Sequence, residues 1–291
     1  MRQTKSVLVV VAVMLLVTAC ARKEVRERLE SAPYHTSLAE AKQAPGASGK
    51  PILVEFFTEW CTWCATIDTV VLVDSAVIEF LSSEMILVKI DAEVDSALTR
   101  EHHISGYPTT VMLDENREEI DRLVGYVPPE EYIQTFRDYA RGIGTLDDLL
   151  RRVETEPDRV LYMNIADKYK YRGGAEEARV WFQRVLDEGD PRDSLSGESR
   201  LALADMMRRS KNWDDAIKAY EAVSKDFSGT ETGDNAEIWI AIVYRNQGDT
   251  TEALKRFEAF IRANPGETKN AEYCRKQIEK LTAKPEEKAA E

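Results

Sequence analysis

Apolar positions follow one kind of pattern up to about residue 141 and another beyond it. In the first part, short apolar runs are set between segments of mixed character. Ile52–Phe57 is the clearest, with Glu55 its one charge, and residues 85–91, 110–113 and about 119–124 follow as further strand-like runs. Helical segments are predicted at residues 37–43, 62–72, 74–82, 95–103 and 129–141, the third opened by an N-cap-type Asp74. Strands alternating with helices predict an α/β layer structure around a mixed sheet, spanning residues 36–141.

Gly142-Ile143-Gly144 reads as a hinge, and no strand-like run appears after it. Residues 145–283 instead repeat a small–large pattern. Ala166, Tyr169, Ala178 and Phe182 recur as Ala204, Met207, Ala216 and Tyr220, then as Ala241, Tyr244, Ala253 and Phe257. The alanines at 178, 216 and 253 stand 38 and 37 residues apart. Each unit is a helix, a turn and a second helix; small residues let the helices approach and the aromatic fills the groove beside them. This pattern resembles tetratricopeptide repeats, most clearly from Ala241 to Pro265, with linkers longer than usual for that family. A non-repeating helical bundle is the alternative. The resemblance implies a surface that holds a partner protein or peptide.

The first 19 residues carry Arg2, Lys5, an apolar run over 7–17 and then Thr18-Ala19 before Cys20. The run is too short to span a bilayer and reads as an export signal. Small residues ahead of a cysteine resemble a bacterial lipoprotein signal. That resemblance implies cleavage before Cys20, lipid on its sulfur, and a membrane-anchored, periplasm-facing protein, sorted to the outer membrane in a Gram-negative source because Ala21 is not Asp. Residues 20–35 would be a tether and residues 284–291 a disordered tail.

Charge narrows the partners. The net charge of −13 makes nucleic acid a poor one. Export places the remaining three cysteines where disulfides persist, yet three is too few and too odd a number for a cysteine-stapled scaffold. Cys61 and Cys64 form one pair, and Cys274 reads as a small buried hydrophobe.

Trp60-Cys61-Thr62-Trp63-Cys64 lies where an apolar strand gives way to a helix, which puts Cys61 at an electropositive helix N-terminus. There the thiolate is favoured, and Cys64, one turn inward, can resolve a mixed disulfide formed by Cys61. A zinc site lacks a second pair of soft ligands, covalent haem lacks the histidine that Ala65 replaces, and a disulfide spanning so short a loop stabilises little. No cofactor beyond the Cys61–Cys64 pair is expected. Trp60 and Trp63 either rim the site for substrate or pack inward, and Glu55 either is a buried acid or reaches solvent at a sheet end. His102 and His103 read as surface residues.

A strand ending in Glu-Phe-Phe, the Trp-Cys-Xaa-Xaa-Cys and a Gly-Xaa-Pro-Thr before a strand together resemble the thioredoxin superfamily. The resemblance implies a thioredoxin fold, a cis Pro108 against the cysteine pair, a Tyr107 backbone that pairs with bound substrate beside Thr109, and Glu55 as proton acceptor for Cys64. Thr62-Trp63 between the cysteines is similar to reductase-type domains of exported bacterial proteins, the terminal domain of the electron carrier DsbD among them. The implied function is a protein-disulfide oxidoreductase of the cell envelope, reset by an upstream dithiol donor or acceptor. The alternative is an assembly scaffold in which the thioredoxin fold is mainly a binding module.

Overall fold

The computed structural model describes residues 34–43 and 49–283. The leader, Cys20, the tether up to residue 33 and the tail at 284–291 lie outside the described residues. The chain divides into two compact units, residues 1–151 with 171–173, and residues 152–170 with 174–291.

The described part of the first unit is built on a five-stranded sheet of order β1-β3-β2-β4-β5. Its strands are β1 (Tyr34–His35), β2 (Ile52–Phe57), β3 (Ile86–Asp91), β4 (Thr109–Leu113) and β5 (Glu119–Val124). β1 and β2 each pair with β3 in parallel, whereas β2–β4 and β4–β5 are antiparallel. The helices are α1 (Leu38–Gln43), α2 (Thr62–Thr66), α3 (Ser75–Glu84), α4 (Ser96–Glu101) and α5 (Pro129–Ala140), and α6 (Leu146–Thr155) begins within this unit.

The sheet is covered on both faces, which is why β2 reads as an almost unbroken apolar run. On one face Leu53, Leu87 and Met112 pack with Phe80 and Leu81 of α3 and with Tyr132 and Phe136 of α5. On the other, Val54, Phe56, Val88 and Val111 pack with Ala41 of α1, and Leu98, Ile104 and Tyr107 close its edge. Because side chains alternate along a strand, Glu55 falls on the same face as Leu53.

The helix expected over residues 62–72 is interrupted. α2 ends at Thr66 and continues as a π-helical turn, Ile67–Val71, in which the Leu72 N–H reaches the Ile67 carbonyl at 2.9 Å. This wider turn keeps Ile67 and Val71 both in the core while Asp68 stays half-exposed. Asp74 then caps α3, accepting from the Ala76 and Val77 N–H groups at 2.8 and 3.3 Å. His102 corrects the surface reading: it is half-buried, its ring 5.6 Å from that of Phe56, and burial lowers its pKa. His103 is exposed.

The second unit contains the helices α7 (Arg159–Tyr171), α8 (Ala175–Asp187), α9 (Ser194–Arg209), α10 (Trp213–Asp226), α11 (Glu231–Gln247), α12 (Thr250–Ala263) and α13 (Lys269–Thr282), less the residues of α7 that group with the first unit. The repeated alanines 166, 178, 204, 216, 241 and 253 are all buried, as are Phe182, Tyr220 and Phe257. At Gly233, in the first turn of α11, a Cβ would lie 2.2 Å from the carbonyl oxygen of Phe227, the C-cap residue of α10, so a side chain there would force the backbone to shift. Gly248 ends α11 in the left-handed conformation, φ 86°, which returns the chain toward α12.

Candidate redox site

β2 leads directly into the cysteine motif. Thr58 is buried, its carbonyl accepts from the Cys61 N–H at 3.2 Å, and Cys61 becomes the N-cap of α2 with extended backbone, φ −82° and ψ 104°. Its Sγ accepts from the Cys64 N–H at 3.1 Å, occupying the place where a capping oxygen would sit. The same donor would hold a Cys61 thiolate once the pair is reduced, so the N-terminus that starts the helix also favours the reactive form. Cys61 and Cys64 are joined as a disulfide with Cα atoms 5.2 Å apart. Cys61 is 7% exposed and Cys64 2%.

Two loops from other strands border the motif. The Tyr107–Pro108 peptide is cis, Pro108 is buried, and its carbonyl accepts from the Gly125 N–H at 2.8 Å, tying the entry of β4 to the exit of β5. Tyr107 meets Trp60 edge-on with ring centroids 5.9 Å apart, and Tyr126 stacks on Trp63 at 5.6 Å. Trp60 and Trp63 are 67% and 59% exposed, so both rim the site rather than pack inward. The Trp60 indole N–H donates to Glu93 at 3.0 Å. Thr109, the first residue of β4, is buried and its hydroxyl donates to the Gly106 carbonyl at 2.9 Å.

Glu55 is fully buried, which resolves its two readings. In β2 it lies opposite Lys89 on one side and Thr110 on the other. The Lys89 ammonium stands 3.8 Å from its carboxylate, too far for a hydrogen bond, and is hydrogen-bonded instead to Asp68 of the π-helical turn. Among the described residues neither Glu55 oxygen has a hydrogen-bond partner, nor does the buried Tyr132 hydroxyl. Burial outweighs the lysine and pushes the Glu55 carboxyl up from an ordinary 4.5 to about 7. Burial, with the Glu55 charge added, also raises the Tyr132 phenol. Lys89 shows the opposite balance: burial pulls it down, but Glu55 and Asp68 outweigh burial and hold it above its usual range.

Lys89, Asp68, Tyr126 and Glu93 were not among the residues expected at the site. A charge in the apolar run of β3 could have flagged Lys89; nothing local marks the other three, which matter through contacts between distant segments. Cys274 is the free cysteine among the described residues. It lies fully buried in the second unit, with its thiol pushed up by burial to about 11. Among the described residues no group of three or more His, Cys, Asp or Glu is placed to hold a metal ion.

A dithiol at a helix N-terminus, in a domain that also holds a cis proline and a buried carboxyl, is the equipment of a thiol–disulfide exchange site. Residues 38–140 match the model of the thioredoxin-like domain, and residues 198–230 and 236–266 match that of the tetratricopeptide repeat. The chain is 30% identical over 101 residues to the thioredoxin of Porphyra purpurea, 35% of this chain and 91% of that protein. It belongs to the thioredoxin family, with tetratricopeptide repeats following the thioredoxin domain.

It is also 28% identical over 129 residues to the thiol:disulfide interchange protein DsbD of Ralstonia nicotianae, 43% of this chain and 20% of that protein. The chain thus spans about a fifth of the length of the DsbD relatives it matches. A solved thioredoxin from Thermus thermophilus covers 38% of this chain and 88% of its own, at 27% identity and TM-score 0.35.

Proposed function

We propose that this protein is a thiol–disulfide oxidoreductase that reduces or exchanges disulfides of protein substrates through Cys61 and Cys64, and that its helical repeats hold a partner protein. The observation that carries the reading is Cys61 at the N-cap of α2, its sulfur on the Cys64 N–H and the residue more exposed than Cys64. In the reduced protein the Cys61 thiolate attacks one sulfur of a substrate disulfide, and the other sulfur leaves as a thiolate. Glu55 takes the Cys64 proton, its raised pKa matching that task near neutral pH. The Cys64 thiolate then attacks the Cys61 sulfur, releasing the substrate's second thiolate and leaving the Cys61–Cys64 disulfide. Two electrons pass to the substrate, and an upstream dithiol restores the pair.

Trp60, Trp63 and Tyr107 are proposed to line the substrate's path, with Pro108 holding the loop. With a small dithiol as donor, the full-length chain should accelerate reduction of a protein disulfide, and Cys61→Ser should fall to the rate of the dithiol alone. A Cys61→Ser variant that keeps the wild-type rate would overturn the reading.

The place of work proposed for the protein is the bacterial envelope, on a lipid attached to Cys20 and facing the periplasm, at the outer membrane in a Gram-negative source. The apolar run over 7–17 and the residues before Cys20 support this. Mass spectrometry of the membrane fraction should find a mature N-terminus at Cys20 with acyl chains. An unmodified Cys20 or a retained leader would contradict it.

A further inference from the structure

We propose that the face around the disulfide selects substrate segments in which a basic side chain flanks the reactive cysteine. This inference rests on the exchange reaction described above and names the substrate class for the same site.

Two aromatic pairs border the sulfurs, Trp60 with Tyr107 and Trp63 with Tyr126. Both tryptophans are more than half exposed, yet each is braced by its partner ring, so their faces are presented ready-ordered. Aromatic faces attract a guanidinium or ammonium group as well as apolar side chains. What separates the two is the surrounding charge. Glu93 receives the Trp60 indole N–H and is exposed, so its negative charge sits at the edge of that ring. Glu59, next to Trp60, is exposed as well. Asp91 and Glu93 are close enough to Tyr107 for their charges to add to the rise in its pKa that burial causes first.

Among the described residues of this stretch, cations are few. Between Lys50 and Arg117 the sequence holds twelve acidic residues and two basic ones, Lys89 and Arg100. The Lys89 side chain is 12% exposed and hydrogen-bonded to Asp68, and Arg100 donates to Ser96 on its own helix α4. Acids alone would be an ordinary solvated face; Glu59, Asp91 and Glu93 near exposed rings at a reactive disulfide make a filter. A segment with arginine or lysine beside its cysteine meets ring faces and carboxylates together, whereas one with glutamate there meets repulsion. An apolar segment would gain from the rings but nothing from the acids.

The test uses three symmetric peptide disulfides that differ only at the residues flanking cysteine: arginine, alanine or glutamate. The pre-reduced full-length protein is mixed with each, and the released peptide thiol is measured. In every case Cys61 displaces one peptide thiolate and Cys64 the second, so the stoichiometry is the same. Each rate is divided by the rate of the same peptide with dithiothreitol, which removes differences in intrinsic reactivity. The expected order is arginine, alanine, glutamate, with about a fivefold to tenfold spread at low salt, the size of one exposed cation–ring contact plus one exposed ion pair. The spread should shrink as salt is raised and again in Glu59→Gln/Glu93→Gln. Equal normalised rates, a preference for glutamate, or a spread unchanged by the double substitution would overturn the proposal while leaving the exchange reaction standing. If none of the three peptides is reduced, the exchange reaction itself fails.

Discussion

Replacing Glu55 with glutamine should make the thioredoxin domain more stable at pH 8 than at pH 4, relative to the wild type, by about 3 kcal/mol. The expected sign follows from the direction of the shift. Burial without a hydrogen-bond partner raises the folded carboxyl to about 7, whereas the unfolded chain ionises near 4.5. Below 4.5 both states hold the proton and Glu55 costs nothing through ionisation. As pH rises from there to about 7 the unfolded state gains by releasing its proton while the folded state does not, so stability is lost across that window and the loss is complete above it.

A shift of this size is worth about 3 kcal/mol by the usual conversion, a large share of the stability of a small domain. Glutamine has no such titration. Nor does its introduction orphan the neighbouring lysine, because Asp68 keeps the Lys89 ammonium hydrogen-bonded. Calorimetry of both proteins in their oxidised form, from pH 4 to pH 8, reads the difference in the transition that the substitution moves. Parallel pH dependences would mean that Glu55 is not held protonated by burial. The same variant should resolve mixed disulfides more slowly at neutral pH, since it removes the group proposed to accept the Cys64 proton.

The parts of this molecule that were readable from sequence are those written in local patterns. Ile52–Phe57 announced a strand covered on both faces because its apolar run is unbroken except at Glu55, and the sheet's other strands followed in the same way. The helical repeats were readable because Ala178, Ala216 and Ala253 must be small where helices cross, and each is followed four residues later by the aromatic that fills the groove. The Cys61 position at a helix start follows from one strand ending and one helix beginning. Less legible was whatever depends on two segments meeting. The π-helical turn that interrupts the predicted helix carries no sequence mark, and it sets Asp68 on Lys89. The same holds for Tyr126 on Trp63 and for His102 against Phe56, where a polar residue at a helix end is drawn in by the ring it covers. Whether Trp60 and Trp63 pointed outward could be decided only once those partners were placed.

The central claim is that Cys61 attacks and Cys64 resolves, and it is tested most directly by removing the resolving thiol. In Cys64→Ser the mixed disulfide formed on Cys61 has lost its attacker one turn along the helix. Cys274 is a poor substitute, since it is fully buried and its thiol is pushed up to about 11, away from the reactive form. The full-length Cys64→Ser protein should therefore accumulate covalent adducts with its substrates, visible as higher-mass bands on non-reducing gels and lost on adding dithiothreitol. Wild type should show few, because Cys64 clears them, and Cys61→Ser/Cys64→Ser should show none. An absence of adducts in Cys64→Ser, or equal adducts in the double variant, would contradict the account.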